Sequence, residues 1–182
     1  MKKKGMAALA VGGGAIALAA AMTVSAGKKD MAFTQAEIEA AQTAWAEGIV
    51  AIGATKTEGG DYSARAAEHI RTLYAYGKAP VLFKPTKAAE EQFRDTYDEA
   101  HSYFVGGDIK EDGGFAINPW TAVRFENEGL YIDSDSAVAM GNYYFTTPEG
   151  QEVKVEYTFG YIPGKNGQPL INVHHSSLPF SP

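Results

Sequence analysis

From Thr34 onward, apolar residues recur at helical intervals. Ile38, Ala41, Trp45, Ile49 and Ile52 form one stripe of "TQAEIEAAQTAWAEGIVAIG", the pattern of an amphipathic helix. Thr34 and Glu37 precede it at capping-box spacing. A second helix is predicted over "DYSARAAEHIRTLYAYG", opening at a cap on Asp61 or Ser63 and ending at Gly77. The short apolar run "APVLFKP" follows. From Thr86, "TKAAEEQFRDTYDEAHSYF" predicts a third helix with Phe93, Tyr97, Ala100 and Phe104 on one stripe.

Beyond Pro119 the period changes. "WTAVRFEN", "AVAMGNYYFTT", "EVKVEYTFGYI" and "PLINVHHSSLP" are rich in β-branched and aromatic residues. Turn signals, Pro148-Glu149-Gly150 and Gly164-Lys165-Asn166-Gly167, separate the later ones. Short connections predict antiparallel neighbours. Helices followed by an antiparallel sheet define an α+β fold.

The first 26 residues stand apart. Lys2, Lys3 and Lys4 precede an alanine-rich apolar run, and Ser25 and Ala26 supply a cleavage site. This is the form of a secretory signal, an uncleaved anchor being the alternative. The expected organisation is a signal over 1–26, a flexible N-terminus over 27–33 and one domain over 34–182, in the periplasm or secreted. Leaving out the three lysines lowers the formal charge from −6 to −9, since no acidic residue precedes Gly27. Such a domain is not built to coat nucleic acid or anionic membrane. Without cysteine it has no disulfide, thiolate metal site or thiol nucleophile.

Candidate chemistry concentrates in "INVHHSSLPF". Successive strand residues point to opposite faces, so His174 and His175 do not enter one cavity together. Strict alternation groups His175 with Ile171, Val173 and Ser177, and His174 with Asn172, Ser176 and Leu178. The first set is apolar until it turns polar, as expected of a pocket wall. On the neighbouring strand Val153, Val155, Tyr157, Phe159 and Tyr161 share a face. An imidazole and a hydroxyl are then expected inward on His175 and Ser177; a purely structural pair of histidines is the competing reading. A zinc site would have to recruit His69 and His101 with His175, without the spacing such sites use. No Gly-x-Ser-x-Gly elbow exists, and Asp133 and Asp135 read as turn residues.

"FKPT", "AHSYF", "GGFAINPWTAVRFEN", "AMGNYYFTTPEGQEVKVEYTFGY" and "HHSSLP" together resemble the iota-class carbonic anhydrases, relatives of the calcium/calmodulin-dependent kinase II association domain, over roughly residues 35–180. The resemblance implies a cone-shaped, nuclear transport factor 2-like fold, a homodimer and reversible hydration of carbon dioxide to bicarbonate. It implies ligand contacts from Thr86, Tyr103, His175 and Ser177. Members act with or without a metal, so the resemblance leaves that open; because no three-histidine spacing is present, the expectation is no cofactor, with zinc or manganese as the alternative. Thr86 also fits as a cap of the third helix. Tyr103 lies about 80° from the Phe93–Phe104 stripe, at about 100° per residue, on the flank of the buried face. A non-catalytic dimerisation or ligand-binding module of the association-domain type is the competing function. Ketosteroid-isomerase-like proton transfer would need an inward carboxylate opposite a tyrosine, and none is placed.

Overall fold

The computed structural model describes residues 32–181; the proposed signal and residues 27–31 lie outside the described residues. Helix α1 (Gln35–Thr57) starts at the expected box, the Thr34 side chain and Glu37 each meeting the other's backbone amide. Its stripe of Ile38, Trp45, Ile49 and Ile52 is fully buried. Helix α2 (Tyr62–Leu73) is capped by Asp61, whose carboxylate accepts from the Ala64 amide. It stops short of Gly77 because Tyr74 and Ala75 turn away to meet the sheet, the Ala75 amide donating to the Ile171 carbonyl. Gly77 takes its positive φ of 75° in the turn beyond. No helix among the described residues is long and apolar enough to cross a membrane.

Among the described residues five strands form one sheet in the order β1-β5-β4-β3-β2: β1 (Leu82–Lys84), β2 (Ala122–Ile132), β3 (Ala137–Thr146), β4 (Glu152–Pro163) and β5 (Pro169–Ser177). The neighbours from β2 to β5 are antiparallel, as their short turns require. The apolar run before Thr86 adds β1, parallel to β5. Two irregularities bend the sheet around α1. Glu128 is the extra residue between Asn127 and Gly129 of β2. Asn172 is the extra residue in β5, since Gly160 faces Val173 while Tyr161 faces Ile171. An extra residue in one strand increases local bend and twist.

Two expectations need correction. Ala32 and Phe33 are not a loose leader: the Ala32 amide donates to the Asp133 carbonyl and Phe33 is buried. The predicted third helix does not begin at Thr86. Helix α3 (Tyr97–Val105) starts behind its own capping box of Thr96 and Glu99, and Thr86 caps no helix. Residues 86–96 are claimed instead by long-range bonds. The Glu111 carboxylate accepts from the amides of Ala89, Glu90 and Glu91, and the Arg94 amide donates to the Phe83 carbonyl. The Arg94 side chain is fully buried, donating to Asp112 at 2.5 Å and to the carbonyls of Glu91 and Phe93. Phe93, expected on a buried stripe, is 57% exposed.

The Arg94–Asp112 pair therefore anchors the loop. Asp112→Ala leaves a buried guanidinium without its carboxylate, and the expected cost is about 3–5 kcal/mol. The shift in urea midpoint measures it. Most of the loss should return in Arg94→Met/Asp112→Leu, where no charge remains to be stranded.

Candidate active site

A cavity of about 320 Å³ opens between the inner face of β3–β5, helix α3 and the loops around residues 86 and 113. One wall is apolar, with Phe115, Trp120, Phe145 and Val155. Its polar lining includes Thr86, Tyr103, His174 and Ser176, together with Lys87, Glu111 and Asn118. The Thr86 hydroxyl donates to Ser176 Oγ at 2.8 Å. The Tyr103 hydroxyl accepts from the Lys87 amide at 3.3 Å. Gly114 lets the loop after α3 pass close by, with φ 73° and no room for a Cβ, which would lie 2.7 Å from the Val105 carbonyl carbon.

The facing predicted for the double histidine is inverted. His174 and Ser176 are buried and line the cavity, whereas His175 is exposed on the outer face. Ser177 also points outward and donates to Glu156 Oε2 at 3.0 Å. The physical reason is Asn172. Alternation counted from Ile171 assumes an unbroken strand, but the extra residue moves every later side chain to the other face. Ile171 is buried opposite Tyr161, and after the irregularity it is His174, not Val173, that sits inward opposite Phe159. The facing of β4 was read correctly: Val155, Tyr157, Phe159 and Tyr161 are all buried. The sequence carried one hint, Gly160 inside an otherwise bulky strand, since such a glycine marks an irregularity. A Cβ there would lie 2.9 Å from the Val173 Cβ.

Thr86 and Tyr103 are at the cavity as expected. Three residues that sequence reasoning passed over join them. The Tyr143 hydroxyl interacts with the Ser176 side chain. Tyr74 Oη lies 2.8 Å from His174 Nδ1, and the Trp45 indole donates to that same Tyr74 oxygen at 3.0 Å. The His174 ring is stacked on Phe83, centroids 4.4 Å apart, and meets the edge of Phe159 at 4.3 Å.

These groups are held neutral. Burial, with smaller contributions from His175 and His69, pushes the His174 imidazole well below its ordinary value. Burial raises the Tyr103 phenol, partly offset by the Lys87 amide, and raises Tyr143 as well. The zinc triad does not assemble. His69 is buried against Gly48 of α1, His101 Nε2 lies by Ser63, and His175 is outside. Among the described residues no group of three or more His, Cys, Asp or Glu is placed to hold a metal.

A family profile described as metal-independent carbonic anhydrase matches residues 36–178. The chain is 40% identical over 154 residues to a metal-independent carbonic anhydrase of Nostoc sp. (strain PCC 7120 / SAG 25.82 / UTEX 2576), covering 82% of this chain and 75% of the relative. It is similar to a crystal structure of a cyanobacterial iota-carbonic anhydrase complexed with bicarbonate. The TM-score is 0.80 at 38% identity, over 82% of this chain and 94% of that one. A Xanthomonas campestris protein described as a putative calcium/calmodulin-dependent protein kinase II association domain matches with a TM-score of 0.52 at 23% identity, over 83% and 95% of the two chains. That likeness is one of fold.

Two buried neutral histidines set a pH dependence. Burial first, then Arg65, lowers His69 from 6.5 to about 3, and His174 moves the same way. Unfolding lets each ring bind a proton below its ordinary value, so the unfolded chain holds more protons there. Their stabilisation is complete above pH 6.5 and falls as the pH drops below it, for His69 down to about 3. Each group adds about 1.4 kcal/mol per pH unit to that slope. Urea unfolding of His69→Gln between pH 6.5 and 4 should give a shallower slope than the unmodified chain. Equal slopes would mean that His69 takes up its proton in the folded protein.

Proposed function

The chain belongs to the metal-independent carbonic anhydrases, enzymes of the reversible hydration of carbon dioxide to bicarbonate, and from that premise we propose that this cavity is where hydration occurs and that no metal takes part. The observation that carries this reading is the meeting of Thr86, Tyr103, His174 and Ser176 in one cavity with the apolar side chains of Phe115, Phe145 and Val155. Carbon dioxide is apolar overall and suits the Phe115, Phe145 and Val155 wall. Bicarbonate is an anion rich in acceptors and suits the hydroxyls. The bicarbonate complex of the similar cyanobacterial enzyme supports the same ligand here.

In the step proposed, a water oxygen bonds the carbon and one C=O electron pair retreats onto oxygen. One water proton leaves through hydroxyls to bulk water, giving bicarbonate. Negative charge grows on the carboxyl oxygens, so donors aimed there act mainly at the transition state. Tyr103 is suited to donate: its phenol is kept protonated by burial, and the amide it accepts from leaves its O–H free. Ser176, receiving from Thr86, has its own proton to offer to substrate oxygen or to Tyr143. His174 contributes a neutral ring, not an imidazolium. His175 and Ser177 take no part in the reaction on this reading.

Chelated protein should hydrate carbon dioxide as fast as untreated protein in a stopped-flow assay. His174→Gln and Ser176→Ala should each lose activity, on the order of 10²–10³-fold if each removes a transition-state hydrogen bond. His175→Ala and Ser177→Ala should stay near normal per folded molecule. Loss on chelation with recovery on zinc or manganese would refute the metal-free reading. Loss in His175→Ala alone would refute the facing.

The reading extends to a homodimer through the outer face of the sheet. One register row crosses all five strands there, Leu82–Val173–Gly160–Val138–Tyr131. Leu82, Val138 and Tyr131 are 63%, 41% and 68% exposed, with Met140 beside them at 54%. An apolar band across a sheet face favours association with a second such band. Sedimentation velocity should give a dimer, and Val138→Glu/Met140→Lys should give a monomer.

A further inference from the structure

The His174 ring has two nitrogens in different surroundings. Nδ1 faces the Tyr74 hydroxyl at 2.8 Å, and Nε2 is buried with no protein partner. In a neutral ring one nitrogen carries hydrogen and the other accepts. Which is which follows from the group behind Tyr74. The Trp45 indole can only donate, and it donates to Tyr74 Oη at 3.0 Å. Tyr74 is 1% exposed, so its own proton must go to a protein acceptor.

If His174 Nδ1 carried hydrogen, the Tyr74 oxygen would receive two N–H groups. Its own proton would then be left buried without an acceptor, at a cost of about 1–3 kcal/mol. If Nδ1 is bare, the indole N–H, the phenol O–H and the Nδ1 lone pair are satisfied in one direction, and only His174 Nε2 is left without a protein partner. We infer that Trp45 and Tyr74 fix the tautomer of His174 so that it presents Nε2–H to the cavity as a hydrogen-bond donor. Phe83 stacked on the ring and the edge of Phe159 against it hold its orientation. Nδ1 is occupied, and His174 lines the cavity beside Ser176. Nε2 is therefore the nitrogen left to meet a ligand.

This deepens the proposed function and rests on it for its chemical meaning. His174 acts as a fixed donor to a substrate oxygen and does not take the proton from water. Tyr74 and Trp45 are positioning residues, acting through His174 and not on the substrate. Because the chain of donors starts at an indole that cannot reverse its bond, the tautomer is set before substrate enters. Donors already aimed where charge will develop need no reorganisation during the reaction.

The test uses the whole protein labelled with nitrogen-15 at histidine. The His174 signals are assigned by their loss in His174→Gln. The expected spectrum at neutral pH has a pyridine-like Nδ1 and a pyrrole-like Nε2. The reverse pattern, or a mixture, overturns the inference, and this readout needs no catalysis. In Tyr74→Phe, shown folded by circular dichroism, the His174 tautomer should become mixed. Its kcat should fall about ten- to a hundredfold as the donor loses its setting, while a purely structural role would move stability and leave the tautomer alone. A folded Tyr74→Phe with an unchanged tautomer overturns it. If the unmodified protein hydrated no carbon dioxide, the functional reading would fail and the tautomer assignment would still be decided by the spectrum.

Discussion

The hydrogen bond from the Trp45 indole to Tyr74 constrains both the core and the cavity. Helical periodicity puts Trp45 at the centre of the buried stripe of α1. The bent sheet then closes around it: its ring lies near Phe125 of β2, Tyr143 and Phe145 of β3, Phe159 of β4 and His174 of β5. An indole in so apolar a place must still find an acceptor, because an unmet buried N–H is costly. It finds Tyr74, at the point where α2 gives way to the sheet. Packing and polarity are thus joined in one side chain. Any shift of α1 against the sheet would disturb the ring cluster and the donor chain together.

Helix α1 was legible in the sequence because its cap and its period point to one structure. The strands were legible for the same reason, and β4 gave its facing correctly. The site was harder to read. Thr86 and Tyr103 are where short motifs put them, but the double histidine was assigned to the wrong face by counting from Ile171. Counting by twos reads a strand only while the ladder is regular, and Asn172 interrupts it. The apolar character of Val173 made the error persuasive, since it is part of the outer row that crosses the sheet. A hydrophobic residue on a strand marks a covered face without saying which cover it is.

The segment after Thr86 was misread for a different reason. Its alanines and glutamates favour helix, and nothing local forbids one. What overrides that preference is distant in sequence: Glu111 takes three backbone amides, and Arg94 is drawn into the interior by Asp112. The consequence is functional. A helix over these residues would carry Thr86 on a rigid rod with α3, whereas the observed loop brings it against Ser176 while α3 independently supplies Tyr103. Arg94 contributes to both sides, its guanidinium lying 5.7 Å from the centre of the Tyr103 ring.

The electrostatics of the cavity follow from these placements. The domain is acidic beyond residue 26, yet His174, Tyr103 and Tyr143 are all held in their neutral forms by burial. On the proposed reading these uncharged groups meet neutral carbon dioxide with no charge of their own to desolvate and hold bicarbonate by hydrogen bonds, while Lys87 also lines the cavity. Neutrality leaves the proton as the harder problem, because a ring that stays uncharged is a poor base near pH 7. Glu111 lines the cavity too, but three amides hold its carboxylate below the ordinary range, which makes it a weak acceptor. On this reading the chain lowers the barrier by stabilising negative charge on oxygen, and the departing proton travels by hydroxyls to water. The Thr86–Ser176 bond, running from Thr86 to Ser176, leaves the Ser176 proton to be offered toward that charge.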